Sequence, residues 1–235
     1  MITRNVMYMY YIPKEKCLYT FNIMFKEFVD VIKSINVLLL KSESTSGEHH
    51  LKSGFDFVRS EELNELTEEN VYTFGDFCWV DFDNVDSLDN MSPNDIAELL
   101  YLGHMMIPLK SAEFTNLKNR FAYLAHDDGW YNKLYINNEE DLLNIISKII
   151  PYKVDILDDL NQEIVNELFD KVQKGLLINF DNKIVTEGKL EIPFYTVGRF
   201  DDMDKCYHTL SEIIMKNERS KGWLVYDNEW EINPY

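Results

Sequence analysis

The sequence predicts an α+β protein with a mixed, mainly antiparallel sheet and packed helices. Three observations lead there. Short aromatic and apolar runs recur along the chain without the regular strand–helix alternation of a parallel fold. Two of these runs are joined by Asp128-Gly129, which suits a tight hairpin because both residues tolerate positive φ. Ser92-Pro93-Asn94-Asp95 combines a capping residue, a proline and an acidic first turn, as helix starts do.

Residues 6–12 are aromatic-rich and read as a strand. Pro13-Lys14-Glu15-Lys16 supplies a turn, and residues 17–21 return as a second strand. Phe25, Phe28, Val29 and Ile32 recur at helical spacing, so a helix is predicted over 24–34. The apolar run 37–40 reads as a buried strand, and the polar, glycine-flanked segment 42–54 as a loop. Ser60-Glu61-Glu62-Leu63 reads as a helix start, with Ser60 as cap and two glutamates in the first turn, where the macrodipole favours them. Residues 76–83 form a strand with Phe77, Trp79 and Asp81 on one side and Cys78, Val80 and Phe82 on the other. In the helix beginning at Ser92, the apolar stripe is Ile96, Leu99 and Leu100, and Gly103 fits the C-cap.

The hairpin pairs residues 119–125 with 130–136. A helix over 138–149 follows, with Asn138 as cap and Leu142, Ile145, Ile146 and Ile149 as its apolar face. Pro151 is the candidate boundary, giving an N-terminal α+β domain over 1–150 and a C-terminal α+β subdomain over 151–235. In the latter, residues 158–174 are predicted helical and ended by Gly175. Strands follow at 176–180 and 183–186, around Asp181-Asn182, and at 190–197, where Pro193 points to a sheet edge. A helix over 201–217 and a final strand over 223–230 complete the chain.

The net charge of −18 is not evenly spread. Thirteen carboxylates and one basic residue, Arg59, lie between residues 55 and 100. Such a balance argues against nucleic acid or an anionic membrane as a direct ligand, since phosphate binding needs cations. It fits a basic protein partner or simple solubility. Hydrophobic content of 46% and aromatic content of 14% argue for a folded chain. Cys17, Cys78 and Cys206 are odd in number and far apart, as reduced thiols are. The first residues lack an apolar core followed by a small-residue cleavage site, so the expected location is cytoplasmic. The most apolar region, 21–40, contains Lys26, Glu27, Asp30 and Lys33 and is too charged to span a bilayer.

FGDFCWVDFD (74–83), IAELLYLGH (96–104) and NRFAYLAHDDGWYNKLY (119–135) resemble a small family of soluble, uncharacterised proteins of Gram-positive bacterial genomes. Some of its members carry the label "oxalate:formate antiporter". The resemblance covers about residues 8–150 and implies no established activity or catalytic residue. The transporter label does not fit a chain without apolar spans.

The sequence has no phosphate-cradling glycine loop, no HExxH and no GxSxG, so no cofactor and no metal site are predicted. The catalytic candidates are His126 and Asp127 in the hairpin turn, together with Asp81 and Asp83, which lie two apart on a strand. Imidazole and carboxylates together suit general acid–base work or a hard metal. A tight turn alone also accounts for Asp127-Asp128-Gly129. Two functions follow. The first is a cytoplasmic protein-binding protein of the immunity or inhibitor type, meeting a basic partner through Glu61, Glu62, Glu65, Glu68, Glu69, Asp86 and Asp89, with Trp130 as aromatic anchor. The second is a small hydrolase or metal-dependent enzyme centred on the turn from His126 to Asp128. Convergence of His126, Asp81 and Asp83 in a pocket would favour the second.

Overall fold

The computed structural model describes residues 6–29, 36–41, 47–68, 76–126, 131–200, 205–206, 208–209, 212–213 and 222–234. The strands are β1 (Val6–Ile12), β2 (Cys17–Phe21), β3 (Asn36–Lys41), β4 (Glu48–His50), β5 (Phe55–Val58), β6 (Phe77–Phe82), β7 (Phe121–His126), β8 (Tyr131–Ile136), β9 (Leu176–Asn179), β10 (Ile184–Thr186), β11 (Lys189–Thr196), β12 (Gly222–Tyr226) and β13 (Trp230–Pro234). The helices are α1 (Phe25–Val29), α2 (Leu63–Glu68), α3 (Asp86–Asp89), α4 (Pro93–Met105), α5 (Glu139–Lys153) and α6 (Gln162–Val172). Pairing is antiparallel throughout the ladders described below, so the predicted α+β class with a mainly antiparallel sheet holds.

The chain forms two compact units. One contains residues 14–18 and 24–142; the other contains 1–13, 19–23 and 143–235. Pro151, read as the boundary, lies inside α5.

In the first unit the strand order is β8-β7-β6-β3-β5-β4. All six residues of β6 are buried, because both faces of this central strand are covered. On one face α1 sets Phe25 4.8 Å from Trp79 and Phe28 5.3 Å from Phe121, edge to face in both cases. α4 packs against β3 and β6. Its start matches the sequence reading: Ser92 accepts the Asp95 N–H, Asp95 accepts the Ser92 N–H in return, and Pro93 opens the helix.

Three local expectations fail here for identifiable reasons. Gly103 does not cap α4. It lies within the helix, where a Cβ would sit 3.1 Å from the Cβ and carbonyl oxygen of Leu40, so its bareness lets the helix approach β3. Met106, with φ at 55°, is the C-cap instead. The buried stripe accordingly runs through Leu99, Leu102 and Gly103, and Leu100 is 56% exposed. Ser60 opens a 3-10 turn and donates its hydroxyl to Glu61, and no side chain caps the helix. The polar segment 42–54 contains β4, an exposed strand held to β5 and by Arg59 against Glu48. With no apolar alternation, such an edge strand carries no periodic signal.

In the second unit the order is β13-β12-β11-β9-β1, with β10 also on β11. Pro193 is therefore interior, paired with Trp223 of β12. On the other side of β11, β10 covers residues 189–191 and β9 covers 194–196. Residues 192 and 193 face the gap between them, where a missing N–H breaks no ladder. The predicted last strand is two. Asn228 takes φ of 63°, the Asp227 N–H donates to the Glu229 carbonyl, and the chain reverses into β13. The reversal exposes part of Trp223 and buries Trp230, whose indole N–H donates to the Asp158 carbonyl at 2.8 Å. α6 starts at its cap, Asn161, and Gly175 follows it at φ of 79°. A Cβ on Gly175 would sit 1.9 Å from the Gly198 carbonyl oxygen, so only glycine fits. Tyr8 holds the same corner, donating to the Gly198 carbonyl at 2.8 Å and accepting the Phe200 N–H at 3.2 Å. Of the predicted helix over 201–217, the described residues are helical.

Two substitutions test α4. Leu99→Ala should cost about 2–5 kcal/mol in urea denaturation, whereas Leu100→Ala should stay within about 0.5 kcal/mol of the parent. Equal costs would mean that the buried stripe is misassigned.

Candidate functional site

A site built from His126, Asp81 and Asp83 needs those side chains to meet, and the register of β6 on β7 separates them. Phe77 pairs with Ala125 and Val80 with Ala122, so Asp81 lies beside the start of β7 and His126 at its far end. Five residues of strand put roughly 17 Å between them.

Asp81 is buried, and its oxygens accept the Arg120 N–H at 2.9 and 3.0 Å and the Phe121 N–H at 2.6 Å. Burial pushes its carboxyl up to about 7, against the pull of those amides and of the Arg120 charge. Arg120 turns its guanidinium to Asp141 in the first turn of α5. Asp81 is thus a clasp between strands. Asp83 lies past the end of β6, exposed, 3.6 Å from Lys118. Asp127 and Trp130 fall outside the described residues. Among the described residues, no group of three or more His, Cys, Asp and Glu could hold a metal ion.

His126 sits in a different setting. Cys78 pairs with Leu124, Leu124 with Lys133, and His126 with Tyr131. Alternation therefore places Cys78, His126, Tyr131 and Lys133 on one face. The Nε2 of His126 is buried and makes no hydrogen bond among the described residues. Burial holds its pKa down at about 4; Lys133 and Lys41 act in the same direction and Asp76 against it. Lys41 and Asp76 pair at 3.2 Å. The Cys78 thiol is wholly buried, and burial pushes its pKa far up, so it stays a thiol and offers no nucleophile.

The acidic stretch is less bare than its sequence. Among the described residues, seven of its thirteen carboxylates meet a cation, cap a helix or are buried. Asp56 meets His49, Asp76 meets Lys41, Asp83 meets Lys118, Asp89 meets His50 and Lys52, and Glu98 meets Lys110, while Asp95 caps α4 and Asp81 is buried. Of the proposed interaction residues, Glu61, Glu62, Asp86 and Asp89 are exposed, and of these Asp89 is the one that meets cations among the described residues. Glu65 and Glu68 belong to α2, and Glu69 lies outside the described residues.

A second acidic surface escaped the sequence reading. A groove of about 340 Å³ lies between α6 and β13. Its exposed rim is Glu163, Glu167, Glu229 and Glu231, and its floor is Ile164, Trp230 and Ile232. The i, i+4 spacing of Glu163 and Glu167 was legible, but reading residues 223–230 as one strand hid the turn that brings Glu229 and Glu231 to them. Glu167 pairs with Lys171 at 3.0 Å; among the described residues, Glu163, Glu229 and Glu231 have no cation at ion-pair distance. No family model, curated protein or solved structure matches this chain.

The Asp81 clasp makes a pH prediction with a definite sign. The folded carboxyl titrates near 7 and the unfolded one near 3.8, so between those values the folded chain holds a proton that the unfolded chain lacks. The contribution of Asp81 to stability is therefore greatest below about pH 4 and falls as pH rises through 7. Urea melts at pH 5 and pH 8 should show this loss in the parent and not in Asp81→Asn. An equal slope in both would remove the assignment.

Proposed function

We propose that this protein is a binding protein of the immunity or inhibitor type, which holds a basic protein partner against the groove of α6 and β13. One observation supports the reading above the others: three glutamates without a cation partner among the described residues stand over an apolar floor that includes an indole. A lysine or arginine side chain suits both parts. Its methylene stem lies on the partly exposed Ile232, over the buried Ile164 and Trp230, and its charged head meets the carboxylates. A groove of about 340 Å³ admits one or two such side chains, so the partner is anchored there, not engulfed. The net charge of −18 would speed encounter with a basic surface and orient it. Glu61, Glu62 and Asp86 of the other unit are the second acidic surface available for the same role. The enzyme reading loses its constellation, since Asp81 and His126 stand at opposite ends of the β6–β7 ladder.

The immobilised chain should retain basic proteins from a cell lysate at low salt and release them at high salt. Glu163→Lys with Glu231→Lys should abolish that retention without lowering the melting temperature, because both side chains are exposed. If Glu61→Lys with Glu62→Lys abolishes it instead, the partner sits on the other unit. Retention untouched by either pair would leave the acidic surfaces as solvated faces only.

A further inference from the structure

The groove of α6 and β13 opens on the edge of a sheet. Residues 229–232, which are consecutive, line it from the β13 side. Successive side chains of a strand point to opposite faces, so a groove on one face would be lined by every second residue. This one therefore runs along the edge of β13, with Glu163 and Ile164 of α6 on its opposite wall. Among the described residues, β13 pairs with β12 alone, so no strand lies beside that edge. We propose that the basic partner enters the groove as an extended segment and adds a strand to β13. The proposal rests on the groove being the partner site, and specifies how the partner is held there.

Backbone parity decides which groups face the groove. In an antiparallel ladder, hydrogen-bonded pairs alternate with pairs that exchange no bond. At the turn, the Asp227 N–H donates to the Glu229 carbonyl. Going outward by two residues on each side, Val225–Glu231 and Trp223–Asn233 are the bonded pairs, and Tyr226–Trp230 and Leu224–Ile232 are not. Pro193 agrees from the other side of β12. It has no N–H to give its partner Trp223, whose backbone is left to bond Asn233. Trp230 and Ile232 accordingly turn their N–H and C=O groups away from β12, into the groove. Pro234 has the same parity and no N–H, which ends the row of donors. An edge of unpaired backbone groups is a template for another chain.

Charge selects the occupant. Glu163, Glu167, Glu229 and Glu231 rim the groove. Lys171 pairs with Glu167 at 3.0 Å, and Lys189 pairs with Glu191 at 2.7 Å with Glu231 in its field. With these lysines counted, the rim stays negative. A second copy of this chain, at a net charge of −18, is repelled from such an edge, and a basic strand is drawn to it. Side chains of the added strand alternate as those of β13 do. One set meets Glu163 and Ile164, and the other lies beside Glu231 on the opposite face.

The probe is a short peptide of alternating lysine and valine, blocked at both ends. Two further versions carry backbone N-methyl groups, one at the valines and one at the lysines. In a strand paired along one side, alternate N–H groups meet the neighbour. One methylated peptide should therefore bind the full chain as the parent peptide does, and the other roughly tenfold more weakly. With the parent peptide bound, the amide protons of Trp230 and Ile232 should exchange more slowly, and those of Glu231 and Asn233, already bonded to β12, should not change. Ile232→Pro removes an edge donor and leaves the ladder to β12 intact, so it should weaken the parent peptide to the same degree. If that variant fails to fold, the methylated peptides still carry the test on the unaltered chain. Equal binding of the two methylated peptides, or a dimer of the free chain that the parent peptide dissociates, would overturn strand addition. So would no binding of the parent peptide by a chain whose retention of basic proteins is lost in Glu163→Lys with Glu231→Lys. Retention unchanged in that double variant is instead the failure of the groove as partner site, and strand addition falls with it.

Discussion

The carboxylate of Asp81 fixes β6 against β7, and the arrangement of the unit follows from that clasp. Each of its three contacts is to a backbone N–H at the start of β7, so it sets register and not merely proximity. A slip of one residue would exchange the faces of every side chain on the strand. With the register held, Trp79, Phe121 and Tyr123 meet the rings of α1, Phe77 packs on Trp79 and Tyr123, and Cys78 and His126 share the opposite face. Arg120 extends the clasp, since its backbone serves Asp81 while its guanidinium serves Asp141. The carboxyl is tolerated in the interior because its hydrogen-bonding capacity is filled from a fixed backbone.

Charge in this chain is placed more than it is accumulated. Among the described residues, five of the thirteen carboxylates of residues 55–100 are met by lysines and histidines from the flanking sequence. Exposed pairs of this kind contribute little to stability, so their main effect is to neutralise the surface. What remains for recognition is narrower than the sequence suggests: Glu61, Glu62 and Asp86 in one unit, and the rim of the groove in the other. The groove differs in having an apolar floor, which gives a long basic side chain a reason to bind beyond charge alone.

The strands of the β6–β7–β8 ladder were legible because alternation, aromatic content and the Asp-Gly turn agreed there. The start of α4 was legible because capping is local chemistry: Ser92, Pro93 and Asp95 act within one turn. Its end was not, because Gly103 answers to Leu40, a residue far off in sequence. Pro193 misled for the same reason; whether a proline lies at an edge depends on which strands flank it, and β9 and β10 share that side of β11. β4 had no apolar pattern to read. The site was the least legible part, because Glu229 joins Glu163 only through a turn at Asn228.

The two ends of the β6–β7 ladder hold buried polar groups in different ways. At one end Asp81 has every contact it needs, and binding a ligand there would require breaking amide bonds that hold the sheet. Its altered pKa is thus a property of the fold and identifies no chemistry. At the other end the Nε2 of His126 is buried without a hydrogen bond among the described residues. A buried polar group without a hydrogen bond costs stability. A perturbed pKa alone would have ranked Asp81 and His126 together. Hydrogen bonding among the described residues separates them.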